Sequence, residues 1–185
     1  FTILHTGSIN KDRNPGALWK SLGCYVQEHP EFAQKLKIRL IGALDACVQE
    51  DLQANGLLPY THFENFVPHE QVLEELSSCS LLLLPLNNVK SQKGIVTGKL
   101  FEYLATGLPV LALGDPQGDS SEILSQAGAG AVLSHGDQPA MRQALRRLYQ
   151  TAGAQQAVGS LEAYSRKTGS KQVAALLEGI ICTKY

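Results

Sequence analysis

A doubly wound α/β sheet, mostly parallel and covered by helices on both faces, is the fold this sequence predicts. Three observations carry that expectation. Short apolar runs alternate with longer amphipathic ones along nearly the whole chain. The short runs are apolar almost throughout, as in SLLLLPL at Ser80–Leu86, which marks strands buried on both faces. Strand and helix patterns follow one another singly, so each link is a right-handed crossover.

The first strand, Thr2–Thr6, opens without a lead-in, and Phe1 is therefore not expected to be a natural start. A polar turn leads to a helix at Pro15–Glu28, where proline suits the first turn. The second strand is Lys37–Ile41, followed by a helix at Leu44–Asn55. His62–Phe66 reads as the third strand, and Pro68-His69 announces a helix over Glu70–Ser77. Leu81–Pro85 is the fourth strand, with a helix at Lys99–Thr106 and a fifth strand at Val110–Leu113. Helix Ser121–Ala127, strand Ala131–Leu133 and helix Pro139–Tyr149 continue the alternation, and a last helix, Ser170–Ile180, has no strand after it. No repeat or linker divides the chain, which reads as one domain over residues 1–185.

Composition excludes several classes. With 44% hydrophobic residues, 18% charged residues and a formal net charge of −1, there is no cationic excess for nucleic acid. Cys24, Cys47, Cys79 and Cys182 are widely spaced, without zinc-ligand spacing, and read as reduced thiols of a cytoplasmic protein. No apolar run in this sequence approaches the roughly 18 residues that span a bilayer, and a signal peptide is not expected.

In such a sheet, ligands bind beyond the carboxyl ends of the strands near the point where strand order reverses. Two loops there carry chemistry. In HTGSINKDRNPGAL, Gly7 lets backbone approach a ligand, and Lys11 and Arg13 can reach an anion at the next helix start. Neither GxGxxG nor GxxxxGK[ST] is present, and the plainer reading is a solvated turn with two surface cations. In QKGIVTGKLFEYLATG, Thr97 suits an N-cap, placing Gly98 and Lys99 in the first helical turn. Gly94 and Gly98 leave room for a ligand, while Lys90, Lys93 and Lys99 make the loop cationic, which suits a phosphate. Leu100, Phe101, Leu104 and Ala105 are expected to form the buried stripe of this helix. Glu102 shares the face of Gly98 and Lys99, where it either accepts hydrogen bonds from a vicinal diol or pairs with Lys99 on the surface. His69, Asn87 and Asn88 are weaker candidates for polar contacts, and Arg142, Arg146 and Arg147 read as the wet face of a helix.

Together these segments resemble the carboxyl-terminal, nucleotide-sugar-binding domain of retaining GT-B glycosyltransferases of family 4, of the type that builds bacterial surface polysaccharides. TGKLFEYLATGLPVLA carries the resemblance, and HTGSINKDRNPGAL, IRLIGA, FENFVPHEQVLEELSSCSLLLLPL and YSRK follow in the family's order. The resemblance implies a Rossmann-like half of a GT-B fold, with a nucleotide-diphosphate sugar as substrate and neither metal nor other cofactor. It implies a hexosyltransferase type of enzyme whose glycan or lipid-linked acceptor is supplied through an amino-terminal domain, so that this fragment alone is inactive. It further implies a cytoplasmic location, with contact at the inner membrane face through that other half left open. The second Glu of the family's Glu-x7-Glu motif, which holds the nucleotide ribose, falls on Glu102. The first, which touches the donor sugar, falls on Gly94, and no acid lies between Glu75 and Glu102. The cation pair on the diphosphate falls on Ser8 and Arg13, with Lys99 able to supply the missing charge. The resemblance thus selects Gly7, Ser8, Arg13, Gly94, Thr97, Gly98, Lys99 and Glu102 as donor-binding residues and names no catalytic residue. Two alternatives stay open: a non-catalytic nucleotide-sugar-binding or assembly module of a polysaccharide complex, and a GT-B epimerase.

Overall fold

Six short strands build the sheet in the computed structural model, which describes residues 1–65, 67–152, 164 and 166–182. They are β1 (Thr2–Thr6), β2 (Lys37–Ile41), β3 (Thr61–Glu64), β4 (Leu81–Pro85), β5 (Val110–Leu113) and β6 (Gly130–Leu133). The helices are α1 (Gly16–Glu28), α2 (Pro30–Ala33), α3 (Ala46–Ala54), α4 (His69–Ser78), α5 (Gly98–Ala105), α6 (Asp119–Ala127), α7 (Gln138–Gln150) and α8 (Arg166–Cys182). The strand order is β3-β2-β1-β4-β5-β6 and every pairing is parallel. Order therefore reverses between β1 and β4, where the loops that leave these two strands flank one crevice.

Alternation explains why the strands are apolar throughout. Ile3, Ile38, Leu40, Leu81, Leu83, Leu111 and Leu113 join one core with the buried faces of α1, α2, α3 and α7. Leu4, Ile41, Leu82, Leu84, Val110, Ala112 and Val132 join the other, with α4, α5 and α6. In β4 consecutive leucines go to opposite cores, as the two-residue period of a strand requires.

Element bounds shift for local reasons. α3 starts at Ala46 because Leu44 bridges to Ile9 and the Asp45 N–H donates to the Ile9 carbonyl at 3.0 Å. β3 covers Thr61–Glu64, and Phe66 lies outside the described residues. The single-turn helix α2 was not expected; four residues carry no readable period. It forms because Pro30 starts it and fully buried Phe32 packs edge-on against Tyr25 and Tyr149. On α5 the buried set is Leu100, Tyr103 and Leu104, with Phe101 half-buried and Ala105 exposed, which corrects the expected stripe. α8 extends beyond its expected bounds and exposes Val173, Leu176, Leu177 and Ile180 along one stripe. Among the described residues no helix is long and apolar enough to cross a membrane.

Candidate functional site

The crevice at the reversal point is built from the end of β1, the loop that follows it, the loop after β4 and the first turn of α5. Gly7 turns out of β1 with φ +113°, a conformation that favours glycine, and its N–H donates to the Ile41 carbonyl at 2.7 Å. A Cβ there would stand 3.1 and 3.2 Å from Lys99 Cε and Nζ. The room at Gly7 is thus taken first by the protein's own lysine, which reaches back from α5 across the end of β1.

Lys99 is half-buried, and its Nζ donates to Thr6 Oγ1 at 3.2 Å and lies 5.9 Å from the Tyr103 ring centroid. Tyr103 fixes this arrangement from below. Its hydroxyl accepts the Thr6 N–H at 3.0 Å and lies 3.3 Å from Thr6 Oγ1, and burial pushes its pKa up to about 12. Burial holds the pKa of the Lys99 ammonium below the usual lysine value; the Glu102 carboxylate acts upward and Arg13 downward. Arg13 sits in a 3-10 turn at Lys11–Arg13, and its Nε–H donates to Asn87 Oδ1. A second tie, from the Asn88 N–H to the Asp12 carbonyl at 2.8 Å, locks the loop after β1 to the loop after β4. Both cations act on the buried ring of His5, so they occupy the same end of the sheet. Among the described residues neither has a carboxylate within ion-pair distance.

Glu102 is exposed on α5, one turn beyond Lys99, and is not ion-paired with it. Its carboxylate nevertheless acts through space to raise the Lys99 pKa, so the surface alternative for Glu102 becomes a longer-range influence rather than a contact pair. Ser8 is exposed beside Gly7, and Gly94 and Gly98 are exposed with open space where a Cβ would stand. Thr97 has the extended backbone of an N-cap, but its side chain caps nothing; Oγ1 is buried without a partner. The loop before α5 is held from the other side by Ser120, whose hydroxyl donates to the Ile95 carbonyl at 2.6 Å. Arg142 pairs with Glu28 at 3.6 Å on the surface, as a wet helix face would, and the His69 side chain lies outside the described set.

Two residues at this site escaped the sequence reading. Tyr103 was hidden by its place next to Glu102, where a helical period alone does not decide which residue faces inward. His5 is 3% exposed, donates from Nδ1 to the Leu83 carbonyl at 2.9 Å, and leaves Nε2 without a partner. Burial, with Lys99 and Arg13 adding to it, lowers its pKa to about 4. The signal was an imidazole inside the apolar run TILHT, directly before the site's first glycine turn.

The sequence profile of the Glycosyl transferases group 1 family matches residues 1–151. No curated protein matches the chain in sequence. Among solved structures it is similar to HepE from Anabaena in complex with UDP (TM-score 0.72, 16% identity, covering 97% of this chain and 49% of that one). It is also similar to WaaG, a glycosyltransferase involved in lipopolysaccharide biosynthesis (0.65, 18%, covering 80% and 38%). A third is the carboxyl-terminal domain of the group 1 family protein LpcC from Francisella tularensis (0.60, 14%, covering 81% and 75%). The chain thus spans about half or less of the first two. Fold and family profile agree: the chain belongs to the group 1 glycosyl transferases, as a Rossmann-like half of the GT-B fold.

Proposed function

We propose that this chain is the donor-binding half of a retaining glycosyltransferase that moves a sugar from a nucleotide diphosphate to a glycan or lipid-linked acceptor. One observation carries the reading: a half-buried ammonium, Lys99, stands in the first turn of α5 near Arg13, with no carboxylate within ion-pair distance among the described residues. A desolvated ammonium at a helix N-terminus with a guanidinium nearby suits a diphosphate, and the two cations stabilise its charge as it leaves the sugar. Gly94 and Gly98 leave their sides of the crevice open to phosphate oxygens. Ser8 lines the approach, the Thr97 backbone leads into the first turn of α5, and Glu102 accepts two hydrogen bonds from the ribose diol. HepE in complex with UDP and glucose, a structural neighbour at 14% identity, supports a nucleotide in this fold.

The acceptor and the rest of the catalytic machinery belong to another half of the enzyme, so this chain alone binds nucleotide and transfers nothing. The stripe of Val173, Leu176, Leu177 and Ile180 on α8 suits such a companion. Activity at the cytoplasmic face of a membrane, through that companion, is part of the same proposal.

A second reading, a non-catalytic nucleotide-sugar module, is favoured by one feature: Gly94 offers no side chain where the resembled family has a sugar-touching carboxylate. Calorimetry with UDP and with uridine tests the site itself. UDP is expected to bind at least about 100-fold more tightly, two charge-assisted contacts being the difference; equal affinities defeat the diphosphate assignment. Turnover of a radiolabelled sugar nucleotide onto glycan or lipid acceptors by the full-length protein separates enzyme from module.

A further inference from the structure

The nucleotide reading leaves one buried polar group without a task. His5 lies on β1, and the carbonyl it meets on β4, Leu83, can only accept, so Nδ1 carries the proton and Nε2 the lone pair. A buried acceptor without a donor is uncommon enough to call for a role. The spot beside Gly7, marked by where a Cβ would stand, has Lys99 Nζ 3.2 Å away and His5 Nε2 3.9 Å away. Lysine and imidazole thus border the same small space at the mouth of the crevice. The groups that act on the ring are few: Lys99 from α5, Arg13 from the loop after β1, and the carbonyls of Leu83 and Gly7.

We propose that His5 is a proton-accepting residue of the anion site: when a diphosphate settles against Lys99 and Arg13, His5 takes a proton from solvent at Nε2 and stands behind them as a third cation. Lys99 is the link. As its ammonium turns from Thr6 Oγ1 toward the phosphate, the space beside Gly7 opens and Nε2 loses its cationic neighbour. Burial is the main cause of the ring's neutrality in the free protein, with Lys99 and Arg13 adding to it. The contribution of the two cations is then outweighed by the negative charge of the ligand. At an effective dielectric of about 20, each unit charge a few ångströms away changes proton affinity about ten-fold or more. Burial still opposes the proton, so His5 remains neutral until an anion arrives. His5 acts through Lys99 and is a positioning residue; the inference rests on the reading of this crevice as a diphosphate site.

The test uses UDP and inorganic pyrophosphate with wild type and His5→Asn. Asparagine keeps an N–H for the Leu83 carbonyl but ends short of Nε2. Calorimetry in two buffers of different ionisation enthalpy counts protons, and the difference between wild type and variant removes the contribution of the phosphate's own titration. Wild type is expected to take up a fraction of a proton that H5N does not, and H5N to bind UDP about ten-fold more weakly. The ring nitrogens of His5 in the wild-type protein give a second readout that needs no variant. Their resonances are expected to stay at the neutral position without ligand and to move toward the protonated one with UDP. Binding with an unchanged His5 resonance and equal proton counts overturns this inference alone. Absence of binding by both UDP and pyrophosphate overturns the diphosphate reading and this inference with it.

Discussion

Two half-buried cations of this molecule sit in opposite electrostatic situations. Arg39, on β2, bonds through one guanidinium nitrogen to Glu64 of β3 and through another to Glu75 of α4, and Glu64 also meets His62 at 3.1 Å. Lys99, on α5, has a threonine hydroxyl and an aromatic ring but, among the described residues, no carboxylate within ion-pair distance. The first is neutralised by its own protein and ties a strand to a helix. The second is desolvated without a contact ion pair, an arrangement that costs stability and is the basis of the proposed anion site. The difference teaches where to look for function: a buried charge that the fold does not balance.

The sharpest way to break that contrast is to remove the unbalanced pair. Arg13→Ala together with Lys99→Ala is expected to weaken UDP binding about 1000-fold, two charge-assisted contacts of roughly 2 kcal/mol each. The remaining affinity should depend less on salt. Thermal unfolding should show little loss, since the fold depresses the Lys99 pKa and gains nothing from its charge at neutral pH. Arg39→Met should do the reverse. Stripping the guanidinium from between Glu64 and Glu75 is expected to cost about 2 kcal/mol of stability, and to leave UDP affinity unchanged. Calorimetry and melting curves on both variants check the pair; a binding defect in R39M would erase the distinction.

Acid sharpens it further. The folded pKa of His5, about 4, lies below its unfolded value of 6.5, so the unfolded chain binds the proton first. Stability contributed by the neutral ring is complete above about 6.5 and is lost as pH falls toward 4, by about 3 kcal/mol in all. Denaturant unfolding across that window is expected to show the loss in wild type and a flatter profile in His5→Asn. A wild-type profile as flat as the variant's would mean the ring is not held neutral by its burial at the end of β1.

The sequence revealed much of this fold because both faces of the sheet are covered. A strand such as Leu81–Pro85 must then be apolar at every position, and the run is plain to see. The loop residues of the site were legible through glycine and charge: Gly7, Arg13, Gly98 and Lys99 stand where strand ends meet a helix start. What stayed hidden depends on three-dimensional direction. Nothing in KLFEYLA says that Tyr103 rather than Ala105 faces inward; that follows from the Thr6 N–H waiting for its hydroxyl. That Gly7 makes room for Lys99 became evident only when α5 was laid across the end of β1. The Thr97 hydroxyl, expected to cap α5, is instead buried without a partner among the described residues.

The smallest expected effect bears on Glu102. It is exposed, unpaired, and close enough to Lys99 to support its charge. Were it only a surface acid that steadies Lys99, Glu102→Gln would change UDP and pyrophosphate binding alike, by less than about three-fold, because an exposed charge pair contributes little. As acceptor of a ribose diol it should act on the nucleoside end. Glu102→Gln is then expected to weaken UDP about ten-fold while leaving pyrophosphate as it was, a neutral amide giving up one of two charge-assisted acceptor contacts. The ratio of the two losses, measured by calorimetry at one salt concentration, is therefore the discriminating quantity. A ratio near unity assigns Glu102 to the electrostatics of Lys99 and leaves ribose recognition to another residue.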